Sequence, residues 1–464
     1  MKIAVLGGGF TGLTCSYYFA KKNCQVTLFE KEKILGGMAS GFKQKSWGWY
    51  LERAYHHLFA NDNDIINFSK EIGFNKIFFK KPETGSLYEN SKLKTSAYAK
   101  TTVDKQNSKL QLKNKSYIIY PLDTPLDLLN FPLLSFSDKI RAGATLAFLK
   151  FSPFLPFFER QTSILFLKKT MGETGYSVLL EQLFRKKFGS FAENILLSFF
   201  WARIKKRTKS LGYIEGGFQA LINYLEKLLK NLGVNILTGY EIKEIKKKKE
   251  KFLIDDKEYD LVISTLPTQI TAKISKKIFP ANFLQNFRKL SYLHSLTLIL
   301  ETDKPILEKT YWLNISVSEI PIMVLVQHTN FIDKKYYGGN HIAYLGWYLD
   351  KDDKLWNMNN QDLLNFIIPY LKQISNFKFQ ISNYYVFRAP FAQPIFDKTF
   401  LKYKPNFFTP VKNFYIANLD MTYPYDRGTN YAVKLGKEVV KIIFAKICGK
   451  FAGIILIIFL FFIL

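Results

Sequence analysis

The sequence predicts an α/β fold, and three stretches carry that expectation. The first forty residues read as strand, glycine turn, helix, strand and acid. Asp260-Leu-Val-Ile263-Ser-Thr-Leu-Pro267 reads as a buried strand stopped by a proline-bearing turn. Phe414-Tyr-Ile-Ala417-Asn418 reads as a further strand, followed by a loop and a helix running toward Val440.

The opening stretch is the most specific of the three. Lys2-Ile-Ala-Val-Leu6 is followed by Gly7-Gly8-Gly9-Phe10-Thr11-Gly12 and then by an apolar-periodic segment from Leu13 to Ala20. Gly7 allows a tight turn off the strand, Gly9 lets the backbone approach a pyrophosphate, and Gly12 lets the helix pack on the strand. Phe10 and Thr11 lie between, where the unpaired N–H groups of the helix start face an anion. Gln25 to Phe29 is a second strand ending on Glu30, 18 residues beyond Gly12. That spacing suits an acid that accepts from a ribose hydroxyl, so a dinucleotide is expected here.

The nucleotide's identity comes from Lys31-Glu-Lys-Ile-Leu-Gly36-Gly37-Met38-Ala39-Ser40. Joined to the first motif, this run resembles the extended fingerprint of the FAD-binding flavoprotein amine oxidase superfamily. That group includes protoporphyrinogen oxidases, phytoene desaturases and UDP-galactopyranose mutases. The resemblance implies a glutathione reductase-like FAD domain with an inserted mixed α+β substrate domain. In it Lys31, Gly36, Gly37, Met38 and Ala39 lie along the nucleotide, and the second glycine pair passes close to the diphosphate.

Composition narrows the class. At 464 residues the chain has room for two or three domains. It is 48% hydrophobic and 22% charged, which fits a globular protein. A net charge of +28 suits either an anionic partner surface or a lysine-rich bias spread over exposed faces. With no zinc-finger spacing and no base-reading helix, nucleic acid is not expected. Cys15, Cys24 and Cys448 form no CxxC pair, so neither a disulfide framework nor a metal site is expected. Because a strand begins at Lys2, no signal peptide is read, and a cytoplasmic catalytic body is expected.

Further along, Tyr55-His56-His57-Leu58-Phe59 precedes a helix over 64–72 capped by Asp62 or Asn63. His57-Leu58-Phe59 resembles the His-x-Phe that UDP-galactopyranose mutases place beside the flavin ring. The polar stretch 84–115 reads as a hairpin with a loop insertion, and residues 122–203 as a helical block. Within it, 146–158 is rich in Phe, Leu and Pro and suits core packing or a membrane-contacting patch. The basic run Trp201-Ala-Arg203-Ile-Lys205-Lys206-Arg207 suits an anionic substrate, lipid head groups or a solvated face. Gln219 to Leu232 has strong helical periodicity and stops at Gly233. Val234–Leu237 and Glu241–Ile245 read as short strands, and Lys246–Lys249 as a hairpin turn. Segments 295–301 and 341–348 read as strands and 360–375 as a helix; Arg388 is a candidate for an anionic group.

The resemblance assigns 1–80, 206–289 and 411–445 to the FAD-binding domain. It assigns 81–205 and 290–410 to the substrate domain. By it, the backbone of Ile242 meets the adenine, and Asn418, Gly428, Thr429 and Asn430 lie along the ribityl chain and ring. Asn418 stands where the family more often has an acid. No cysteine lies in the 418–430 loop, so the FAD is expected to be non-covalent. His57, Tyr423, Tyr425 and Arg427 are the candidate catalytic residues.

The last fourteen residues, 451–464, are apolar. A helix of that length spans roughly 21 Å at 1.5 Å per residue, against a bilayer core of roughly 30 Å. Segment 446–464 is therefore expected to be a membrane anchor, partly inserted or spanning, with membrane lipids as partners. The implied activity is hydride transfer from an apolar or amine-type small molecule to flavin N5. Isoprenoid, porphyrinogen and nucleotide-sugar substrates are all open, and the alternative is a flavin-dependent mutase.

Overall fold

The computed structural model describes residues 1–90, 116–375 and 378–447. Strand β1 (Lys2–Leu6), helix α1 (Phe10–Ala20) and strand β2 (Gln25–Phe29) form as the opening pattern predicts. They belong to a parallel sheet in the order Asn235–Leu237, β2, β1, Leu261–Ser264, Phe414–Ile416. Ile3, Ala4, Val5 and Leu6 are fully buried, as expected for a strand covered on both faces. Helix Thr429–Ile447 and α1 pack side by side against this sheet. Helix Phe218–Asn231 turns Leu221, Ile222, Leu225 and Leu229 inward, all fully buried. Each such side chain contributes about 1.5–3 kcal/mol.

The second layer is a seven-stranded sheet. Its order is Ile381–Pro394, Tyr292–Thr302, His341–Leu349, Val324–Gln327, Thr310–Ile315, Glu83–Glu89, Tyr117–Tyr120. Period-two alternation gives it two distinct faces. Leu298, Leu300, Leu345 and Trp347 pack outward beneath Leu363, Ile367 and Leu371 of helix Asn360–Ile374. On the other face Tyr344 donates through Oη to the carbonyl of Glu52 at 2.9 Å, and a Cβ at Gly346 would collide with the Tyr55 ring. Tyr348, next on that face, meets Arg427. The inner face is thus pressed onto the segment that follows the glycine turns.

A block of short helices includes Phe136–Phe151, Ser163–Met171, Gln182–Phe188 and Leu197–Lys206, and Gln182–Phe188 packs against strands His341–Leu349 and Thr310–Ile315. Segment 146–158 is divided in character. Leu149 and Phe158 are fully buried, while Phe151 is 81% and Phe154 62% exposed.

Three local expectations are corrected. Residues 241–245 form no strand; this stretch is irregular because it is tied to the β2 end, with Tyr240 N donating to Glu30 O and Gly239 N to Glu32 O, both at 2.8 Å. Lys246–Lys248 is itself an edge strand pairing with Lys251–Ile254, and the turn falls at Lys249, whose φ is +54°. Exposed lysines on an edge strand discourage further strand pairing. The cap of helix α2 (Asn63–Glu71) is not the Asp62 or Asn63 side chain: Asp62 Oδ2 accepts from Phe59 N at 2.8 Å instead. The Glu83–Glu89 and Tyr117–Tyr120 hairpin forms, while its loop, 91–115, lies outside the described residues. Among the described residues no helix is long and apolar enough to cross a membrane. The tail on which an anchor was expected, 451–464, lies outside them.

Candidate active site

The two glycine turns build one cradle at the C-terminal ends of the parallel strands. Gly36 N donates to Gly8 O at 2.8 Å, which draws the second turn over the first. Gly37 has φ +56°, and a Cβ there would lie 3.3 Å from Gly9 Cα. At Gly12 a Cβ would lie 1.9 Å from Gly7 O, so α1 approaches β1 as closely as the opening pattern requires. Phe10 and Thr11 are buried in the first turn of α1, and Lys31 and Met38 are exposed at the rim beside Ala39. Glu30 is buried; its Oε2 accepts from Gly8 N at 2.7 Å and its Oε1 from Glu32 N at 2.9 Å. A carboxylate has about four acceptor positions, so lone pairs remain for a ribose. Ile242 is buried two residues beyond the link between Tyr240 and Glu30.

Other predicted cofactor residues are occupied locally. Asn418 Nδ2 donates to Leu266 O at 3.0 Å and Thr268 Oγ1 at 2.9 Å, while its Oδ1 accepts from Asp420 N at 3.2 Å. Asn430 Oδ1 accepts from Asp64 N and Ile65 N, which makes it the cap of α2. Both side chains brace the loop, and Gly428 and buried Thr429 then open the helix.

Two groups that the sequence reading missed stand ready. Asp420 accepts through Oδ2 from Thr268 and, at 2.7 Å, from Tyr292 Oη, yet its buried Oδ1 has no partner among the described residues. Burial raises this carboxyl to about 6. Asp420 lies two residues beyond Asn418, which stands where the family more often has an acid. Arg53, whose backbone N–H donates to Ser40 O at 3.1 Å, has beside the second glycine turn a buried Nε without a partner among the described residues. A cradle that Cβ atoms would fill, an acid with spare lone pairs and two unmet polar atoms fit a dinucleotide-bearing flavin.

Beyond the cradle the wall is aromatic. His57 Nδ1 lies 3.3 Å from Tyr311 Oη, and its ring meets Phe59 and Trp312 edge-on with centroids 5.4 and 5.7 Å away. Tyr55 stands edge-on to Trp312 at 5.0 Å. Burial, then neighbouring His56 and the arginines 207 and 203, bring His57 down to about 3. Burial likewise brings His56 to about 4. Both imidazoles are neutral at physiological pH, so His57 can hold a hydrogen bond there but is no acid.

Of the other candidates, Arg427 reaches this wall. Its Nη1 donates to Gln393 Oε1 at 2.9 Å, its Nη2 to Tyr348 Oη, and its guanidinium lies 4.6 Å from the Tyr348 ring centroid. Tyr425 stacks on Tyr431 with centroids 4.8 Å apart, Lys206 Nζ lying over both rings. Tyr423 turns away: its Oη is 2.6 Å from Ser198 Oγ, and its ring packs between Phe396 and Phe400. Arg388 belongs to the outer sheet face, where it donates to Trp356 O, Met358 O and Asn360 Oδ1. Lys187 and Asp426, 2.9 Å apart beside Arg427, were not singled out from sequence. Only the adjacent Asp426-Arg427 pair gave a local signal; Lys187 sits in a short basic run with no pattern pointing at the cleft.

A separate cleft of about 890 Å³ lies on the outer side of helix Phe218–Asn231. Ala220, Asn223, Tyr224 and Lys227 line it. The inward residues of that helix, such as Ile222, face the cradle, where a Cβ on Gly36 would lie 2.7 Å from Ile222 Cδ1.

The sequence profile described as flavin containing amine oxidoreductase matches residues 10–443. The chain belongs to the flavin containing amine oxidoreductase family. FAD is accordingly the group its cradle fits. A 4,4'-diaponeurosporene oxygenase from Staphylococcus aureus is 23% identical over 53% of this chain and 50% of that protein. The chain thus spans about half the length of that curated relative. An oxidoreductase from Methanosarcina mazei has a similar fold, with TM-score 0.68, 20% identity and coverage of 96% of this chain and all of that one. Reduced UDP-galactopyranose mutase is similar too, with TM-score 0.70, 14% identity and coverage of 96% and 95%. These two likenesses show the fold.

Proposed function

We propose that this flavoprotein is an FAD-dependent oxidoreductase that removes hydride from a carbon of a small-molecule substrate. Bound FAD supplies a two-electron acceptor at N5. The glycine turns, Glu30, Asp420 and Arg53 would hold the nucleotide, with Lys31, Met38 and Ala39 at the rim and Gly428, Thr429 and the braced Asn418 and Asn430 shaping the ring end. Tyr55, Tyr311, Trp312 and Tyr348 would line the substrate and exclude water from the reacting carbon. His57, neutral and held by Tyr311, would orient the substrate by a hydrogen bond without contributing charge. Arg427, fixed by Gln393 and Tyr348, would contact the substrate's polar end, and the Tyr425–Tyr431 stack would wall the cleft. Tyr423 has no part in this assignment.

The observation that carries the reading is the aromatic wall of Tyr55, Tyr311 and Trp312 around His57. The experiment is anaerobic mixing of the yellow protein with isoprenoid, porphyrinogen or amine candidates. Bleaching of the flavin by one of them supports the reading. A second reading, a mutase acting on a nucleotide sugar, draws on His57-Leu58-Phe59 beside the cleft. Turnover of a nucleotide sugar only after dithionite reduction, with no bleaching by any of the candidates, would favour it.

A further inference from the structure

Resting on the flavin-site reading above, we infer that Lys187, Arg203 and Arg427 form a subsite for a dianionic, phosphate-type group of the substrate. The three cations come from three parts of the chain. Lys187 lies on helix Gln182–Phe188, Arg203 on helix Leu197–Lys206, and Arg427 on the loop two residues before the helix at Thr429. They share one carboxylate. Lys187 Nζ is 2.9 Å from Asp426 Oδ2, Arg203 Nη1 contacts the same oxygen, and Arg427 Nη1 is 3.9 Å from Oδ1. The other fixed partners are neutral: Gln393 and the Tyr348 hydroxyl for Arg427. The Phe199 ring lies under Lys187 at 5.0 Å and Arg203 at 5.8 Å, and the Tyr348 ring under Lys187 at 5.4 Å.

With Lys187 protonated, three positive charges against one negative, counted among the described residues, leave a surplus of two. Ring faces attract cations but do not neutralise them. The side chains of Lys187 and Arg427 are only 13% and 20% exposed, so water screens them poorly. Buried charge is tolerated when it is paired, and here the pairing is incomplete until something anionic arrives. Arg203, 44% exposed, is the cation of the three that solvent reaches most. A phosphate or diphosphate matches the surplus in charge, and the guanidinium forks suit its geometry. A carboxylate would leave one charge unmet, and a protonated amine would add a fourth cation. The amine branch of the substrate class is thereby disfavoured. The shared ligand chemistry covers a phosphorylated isoprenoid and a nucleoside diphosphate alike.

Calorimetric titration of the purified protein with inorganic pyrophosphate tests this, and it needs no turnover. Wild type is expected to bind pyrophosphate. Arg427→Gln and Lys187→Gln are each expected to weaken binding roughly ten-fold or more. Lys227→Gln, which alters the outer cleft, should bind as wild type does. Acetate at equal ionic strength should bind far more weakly, and putrescine should not bind. Retained flavin and an unchanged melting temperature certify each variant; if Arg427→Gln unfolds, Arg203→Gln replaces it. Undetectable pyrophosphate binding by wild type, or equal binding by the variants, would overturn the subsite. So would variants that shift the flavin spectrum while leaving pyrophosphate affinity intact, because the cations would then serve the cofactor. A prenyl diphosphate and a uridine diphosphate, titrated in parallel, distinguish the two sources. Pyrophosphate binding without bleaching by any substrate would retain the subsite and remove only the hydride-transfer reading.

Discussion

Asn430 Oδ1 accepts from the backbone N–H of Asp64 at 2.9 Å and of Ile65 at 3.2 Å, so a residue 366 positions away caps α2. The cap joins the last cofactor segment to the first. Asn430→Ala removes the acceptor from two helix-start donors and should cost about 1 kcal/mol. Thermal melting should show the loss, together with reduced flavin retention, whereas Asn430→Asp should keep most of both.

The glycine cradle predicts two different failures. A Cβ at position 12 would lie 1.9 Å from a backbone oxygen, so Gly12→Ala should prevent stable folding and leave the protein insoluble. At position 37 the intrusion is milder, 3.3 Å from Gly9 Cα with φ +56°. Gly37→Ala should therefore fold, with unchanged far-ultraviolet circular dichroism, but purify with much less flavin.

These contacts also show how far the sequence could be read. Strand, turn, helix and acid are local patterns with fixed spacing, so the cradle from Gly7 to Ala39 was legible. The partners of Asn418 and Asn430 were not, because their fate depends on helices far away in the chain. Asp420 escaped notice because it lies past the strand end, where no spacing pattern marks it. The Lys187–Asp426 contact joins positions 239 apart, and no periodicity in one chain encodes such a meeting. Nor did the sequence show that the Tyr423 ring packs between Phe396 and Phe400.

Glu52 sets a pH dependence of stability. It is fully buried, accepting from Tyr213 Oη at 2.5 Å and Phe218 N at 2.7 Å. Burial lifts its carboxyl from 4.5 to about 7, outweighing those hydrogen bonds. Between those values the folded protein holds a proton that the unfolded chain has released. Stability is therefore greatest below 4.5 as far as this group is concerned, and falls as pH rises through 7. The contribution is on the order of 3 kcal/mol. Denaturant melts from pH 5 to 8 should show the decline, and Glu52→Gln should flatten it.

Lys187 gives the anion subsite its own pH signature. Burial, then the positive charge of Arg203, brings this ammonium down to about 7, against the opposing pull of Asp426; Arg427 adds to the lowering. Sulfate keeps its charge across the neutral range, so its affinity reports the protein alone. Sulfate binding should weaken as pH rises through 7, because the lysine loses its proton and the subsite one charge. In Lys187→Gln the affinity should be lower at pH 6 and nearly independent of pH up to 8.

The most direct test of the account is the absorbance spectrum of the purified chain, followed by heat denaturation and analysis of the supernatant. A yellow protein that releases stoichiometric intact FAD on denaturation is the predicted result, with the colour diminished in Gly37→Ala. A colourless protein that releases no flavin, and takes none up when FAD is added, would contradict it.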